Sequence, residues 1–126
     1  MANASTIKPF AKGDIFVGAT LLNRADDDHA GDGRIIQYDS DLNEKGVLWT
    51  SGTSHLIAGL RFGPDKTLWA FDCNAHAVLR YGPDGKELPR IKFADRSFSN
   101  INFTADGNVL FGEHLAPLQL VGALVT

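Results

Sequence analysis

The sequence predicts an all-β chain of small antiparallel sheets stacked face to face. Three observations predict it. Short runs of β-branched and aromatic residues lie between clusters of Gly, Pro, Asp and Asn, the pattern of strands joined by tight turns. One run, Thr67–Asp72, sets Leu68 and Ala70 on one face and Trp69 and Phe71 on the other. A strand apolar on both sides is covered on both sides. Finally, the pattern recurs along the chain, as stacked units of one kind require.

The first unit opens at Thr6–Gly18, TIKPFAKGDIFVG, which reads as a strand around Ile7, a turn at Gly13 and a second strand around Ile15. The polar stretch Thr20–Gly33, TLLNRADDDHAGDG, reads as an inserted surface loop, where extra residues cost little. Arg34–Asp39 follows as a further strand. The second unit is the clearest. Ile57–Phe62 is a strand, Pro64-Asp65 a turn, and Thr67–Asp72 a strand. Cys73–His76 is a short polar loop, Ala77–Tyr81 a strand, and Pro83–Gly85 a Pro-Asp-Gly turn.

The third unit begins at Ser99–Phe111, SNINFTADGNVLF, which aligns with AGLRFGPDKTLWA at an offset of 41 residues. Leu60 falls on Ile101, Phe62 on Phe103, Asp65 on Asp106 and Leu68 on Val109. The first and second units are offset by 53 residues, from Ile7 to Leu60, and ten of the twelve extra residues fall in Thr20–Gly33. After His114 only twelve residues remain, room for a third strand and hardly a fourth.

Gly59-Leu60, Pro64-Asp65, Leu68-Trp69-Ala70, Asp72, Asn74, His76, Val78 and Tyr81-Gly82-Pro83-Asp84-Gly85 together resemble an NHL-type β-propeller repeat. The wider group it is similar to includes the senescence-marker-protein/gluconolactonase propellers. The resemblance implies four-stranded blades, and the repeat length suits them. The expected division is blade 1 over about 5–52, blade 2 over about 54–95 and an incomplete blade 3 over about 98–126, all in one domain.

Closed propellers have about four to eight blades. Two and a half to three leave flat apolar faces uncovered at both ends, and such surface marks an interaction site. The expectation is a homo-oligomer, dimer or trimer, that closes a six-bladed ring, with Ala2–Ser5 adding as an edge strand to a neighbour's incomplete blade. The alternative is a piece of a longer propeller.

Composition bounds the function. The chain has 126 residues, 44% hydrophobic and 21% charged, with a formal net charge of −3 and no basic stripe, which argues against a nucleic-acid partner. The single cysteine, Cys73, forms no intrachain disulfide and favours a reducing compartment. MANASTIKPF shows no signal-peptide pattern and the C-terminal apolar run is too short to span a bilayer, so the expectation is a cytoplasmic protein without a membrane partner.

In such propellers the loops between second and third strands, and those leading into first strands, cluster on one face around the channel, as the resemblance implies. Here they carry His29, His55, Asp72, His76, Asn100, Glu113 and His114, which are the candidate ligand-binding residues. Two readings stand for the histidines. They could hold a divalent cation shared between blades, or Asn74 and His76 could close turns through backbone hydrogen bonds. Asp26–Gly33 begins like a calcium loop, with Gly31 in the sixth place, but Gln37 stands where the twelfth demands a carboxylate. Glu113 and His114 are neighbours on a strand and point to opposite faces, so at most one enters the channel.

The resemblance also implies metal-binding Asn or Asp two places before the apolar residue of each first strand. Ser5, Ala58 and Ser99 stand there instead. The expected function is therefore a non-catalytic binding module for a small molecule or protein, with no resident cofactor. The alternative is a divalent-metal-dependent lactonase whose site is shared between chains. No serine elbow, phosphate loop or CxxC is present.

Overall fold

The computed structural model describes residues 4–50, 57–72, 77–92, 98–113 and 120–121, and for residues 28, 29, 58, 72, 99, 113, 120 and 121 the backbone alone. Every regular element in them is a strand, and every pairing is antiparallel. The first sheet runs β1 (Ile15–Arg24), β2 (Asp27–Tyr38), β3 (Glu44–Trp49). The second runs β4 (Ile57–Phe62), β5 (Leu68–Asp72), β6 (Ala77–Tyr81), β7 (Glu87–Lys92). In the third, β8 (Phe98–Phe103) pairs with β9 (Val109–Glu113), and β9 with β10 (Leu120–Val121). Among the described residues no helix is long and apolar enough to cross a membrane.

The second sheet is the middle layer. On one face Leu68, Ala70, Leu79 and Tyr81 pack with Ile57 against Ile35 and Leu48 of the first sheet. On the other, Trp69, Phe71 and Val78 pack against Phe98, Ile101, Val109 and Phe111 of the third. The alternation in β5 is thus realised as two separate cores, one on each side of a single strand. Where the first two sheets come closest there is no space for a side chain. A Cβ on Gly18 would lie 2.4 Å from the Ile57 carbonyl oxygen.

Four reversals share one geometry: Asp39–Asn43, Gly63–Thr67, Gly82–Lys86 and Thr104–Asn108. In each, the first residue's N–H donates to the carbonyl of the fifth, and the fourth residue's N–H returns to the carbonyl of the first. The fourth residue is left-handed: Leu42 at φ 66°, Lys66 at 66°, Gly85 at 82° and Gly107 at 91°. This is the three-residue hairpin loop that ends in a left-handed residue. Asp65 and Asp84 stabilise theirs by accepting from the N–H of Thr67 and Lys86 at 3.1 and 3.0 Å. Antiparallel alternation gathers all four at one end of the stack, the turn end.

Two expectations for the first unit are corrected. Residues 4–14 form no strand beside β1. Instead Ser5 and Thr6 lie on the free edge of β3. Thr6 N–H donates to the Val47 carbonyl (2.7 Å), Val47 N–H to the Thr6 hydroxyl (3.0 Å) and Trp49 N–H to the Ser5 hydroxyl (2.9 Å). Ser5, expected to serve a neighbouring chain, is therefore engaged in its own. Pro9 has no N–H for a ladder, and Pro9 through Gly13 lacks strand alternation. Equally, Thr20–Gly33 is not a loop. The strands β1 and β2 continue through it as a long hairpin, with Thr20 opposite Gly33 and Leu22 opposite Gly31, turning at Ala25-Asp26. At Gly31 the pairing leaves no room for a side chain, since a Cβ there would lie 2.2 Å from the Leu21 carbonyl oxygen. Of the two sheets expected to have four strands, only the second has four among the described residues, and the third has three.

A buried polar knot holds the N-terminal segment. Gln37 is fully buried; its Oε1 accepts from Lys8 N–H at 2.9 Å, and its Nε2 donates to an Asp14 carboxylate oxygen at 2.8 Å. Lys45 Nζ reaches both Asp14 oxygens at 2.8 and 2.7 Å. The Asp14 side chain is only 4% exposed. Burial pushes its carboxyl up, but hydrogen bonds from Lys45, Ala11 N–H and Gln37 outweigh that and hold it below its ordinary value of 3.8.

Truncating Phe71 to Ala is expected to cost about 3–5 kcal/mol, read from urea unfolding, because it opens a void in the second core. Asp14→Asn is expected to lower stability near neutral pH by about 2 kcal/mol. A depressed folded pKa stabilises in full above about pH 4 and loses its effect as pH falls through the folded value, so the urea midpoints of the two proteins should converge on acidification. A gap independent of pH would remove Asp14 from this role.

Candidate functional site

The candidate residues divide sharply. His55, His76 and His114 lie outside the described residues, as do Ser54, Cys73 and Asn74. His29 lies on β2 within the long hairpin, Asp72 closes β5 opposite Ile57 and Ala77, and Glu113 closes β9 opposite Phe98. By backbone, then, Asp72, Glu113 and the hairpin tip stand at the end opposite the tight turns. At the tip, Arg24 and Asp26 form an exposed ion pair at 2.8 Å, a contact of little energetic weight. Asp27–Gly33 is strand, which sends successive side chains to opposite faces and so does not wrap a cation.

Asn100 is the candidate whose surroundings are fully visible. It sits on β8, exposed, opposite Gly112 of β9, just past a register shift between Phe98 and Asn100. Gly112 makes the room, since a Cβ there would stand 2.9 Å from the Asn100 Cβ. The result is a hollow of about 440 Å³ whose polar members are Arg61, Asn100 and Asn102, with Leu110 as an apolar wall. Arg61 comes from β4 of the middle sheet. Its Nη2 donates to Asn102 Oδ1 at 3.1 Å, and the same oxygen accepts from Phe103 N–H at 2.9 Å.

These groups define what the hollow can do. A guanidinium offers five donors in a planar fork, and each carboxamide offers donors and an acceptor. The set suits an acceptor-rich or anionic ligand. Among the described residues no three His, Cys, Asp or Glu side chains converge to hold a metal.

Arg61 and Asn102 were missed by the sequence reading, although a signal existed. Asn100 and Asn102 are two apart on a strand and so share a face, and Arg61 is the one charge inside the apolar run of β4. Compared with known proteins, the chain matches no family model and no curated protein.

Because these three polar residues are exposed, they contribute little to the cores. Arg61→Ala and Asn102→Ala are each expected to change stability by less than about 0.5 kcal/mol in thermal melts, as surface substitutions do. A large loss in either would make the cluster a structural clasp.

Proposed function

We propose that the chain is a non-catalytic binding module of propeller type, its three sheets acting as consecutive blades and its ligand held through the hollow of Arg61, Asn100 and Asn102. The observation that carries this reading is the hollow itself: a guanidinium and two carboxamides meet where two sheets adjoin, and none is used by a core. Ligand sites are commonly concave, with a few convergent polar groups.

Further copies of the chain, as a dimer or trimer, complete the assembly. The outward face of the first sheet supports this part. Ile15, Val17 and Leu21 alternate on it with 40%, 43% and 46% exposure. Ile36, Val47 and Trp49 belong to the same face through their cross-strand pairings. The middle sheet presents a similar apolar face, and there a neighbouring sheet covers it.

The test is a titration of the protein with small carboxylates and polyols, followed by amide chemical shifts. Binding should perturb β4 and β8, and Arg61→Ala should weaken it by about tenfold or more, the loss of one charge-assisted hydrogen bond. Light scattering should give a multiple of the 13.6 kDa chain mass. A monomer would remove the closure, binding indifferent to Arg61→Ala would remove the hollow, and metal-dependent lactone hydrolysis would replace this reading with an enzyme.

A further inference from the structure

A second cavity lies at the turn end, and it shares no lining residue with the Arg61 hollow: Phe62 faces it, while Arg61, the preceding residue of β4, points to the other face of the strand. The cavity's volume is about 500 Å³, within the usual range for small-molecule pockets. Three phenylalanines line it, together with Ala11 and Pro83. Phe10 and Phe16 stand edge to face with centroids 4.7 Å apart, Phe16 and Phe62 at 5.5 Å, and Phe10 and Phe62 at 6.0 Å. The three rings come from different places in the chain: the N-terminal segment, β1 and the end of β4. Phe62 is 44% exposed although it ends a strand of the middle sheet.

Two lysines complete the lining, Lys12 and Lys66. Both are exposed, and among the described residues neither forms an ion pair. Lys66 occupies the left-handed place of its turn, where the matching turns of β6–β7 and β8–β9 have Gly85 and Gly107. A side chain there costs backbone energy that glycine would not. Leu42 shows that the fold accepts this cost elsewhere, so what distinguishes Lys66 is that its side chain lines a cavity.

Among the described residues that line the cavity, the one acid is Asp14. Its charge is already matched, since Lys45 grips both oxygens while Ala11 N–H and Gln37 donate to it. The unmatched charge at this cavity is therefore positive. An aromatic floor alone would also suit a cation, but two free ammonium groups oppose one.

We propose that this cavity is a binding site for a small apolar acid, an aryl or short alkyl carboxylate. Its hydrocarbon part packs on Phe10, Phe16 and Phe62, and its carboxylate lies between the Lys12 and Lys66 ammonium groups. The site is independent of the Arg61 hollow. It joins the N-terminal segment to the first and middle sheets, so occupancy ties the three together.

The experiment uses 2-naphthylacetate, with the neutral 2-naphthylacetamide as its control. Calorimetry and amide shifts should show saturable binding of the acid, with perturbations at Gly13, Phe62 and Lys66. The acid should bind about tenfold more tightly than the amide, the effect of one charge-assisted contact. The double variant Lys12→Gln/Lys66→Gln should lose that preference while still melting cooperatively, and Phe62→Ala should weaken acid and amide alike. Arg61→Ala should leave both unchanged, which separates this site from the hollow. Equal affinity for acid and amide in the unaltered protein, perturbations confined to other strands, or a preference that survives the double lysine variant would each overturn the assignment.

Discussion

Everything in this molecule answers to the two-sidedness of β5. Leu68 and Ala70 need one apolar partner surface, and Trp69 and Phe71 need another. A single sheet in water cannot supply either. The chain therefore places one sheet before the middle layer and one after it, and each donates an inner face: Ile35 and Leu48 from the first, Ile101, Val109 and Phe111 from the third. Removing this much hydrocarbon from water is the largest favourable contribution to folding. The cost is displaced outward, because each flanking sheet then has a far side of its own.

The two far sides differ. That of the first sheet is aliphatic, with Ile15, Val17 and Leu21 in alternation. On β8 of the third sheet, Asn100 and Asn102 are exposed, beside the half-buried Leu110 and Gly112 of β9. One end of the row thus presents hydrocarbon while the other presents amides and a hollow.

Strands and turns were legible because their signals are local. Asp65 and Asp84 announce turns through bonds to residues two places on, and the alternation of β5 is visible within five residues. The two errors in the first unit have a common origin. The repeat pairs Ile7 with Ile101, but Ile7 through Phe10 is held by contacts far along the chain, to Gln37 and Pro83, which no local pattern encodes. Likewise Thr20–Gly33 is polar in composition, yet pairing across the hairpin, residue against residue, makes it strand. At the hollow, Asn100 was found through the repeat, whereas Arg61 and Asn102 emerge only when β4 and β8 are brought together.

The bond between Thr6 and Val47, and that between Phe10 N–H and the Pro83 carbonyl at 2.8 Å, fasten one short stretch at both ends. Thr6 is tied to β3 of the first sheet and Phe10 to the β6–β7 turn of the middle sheet. Residues 6–10 therefore act as a strap between two sheets, held by groups that the ladders leave unused.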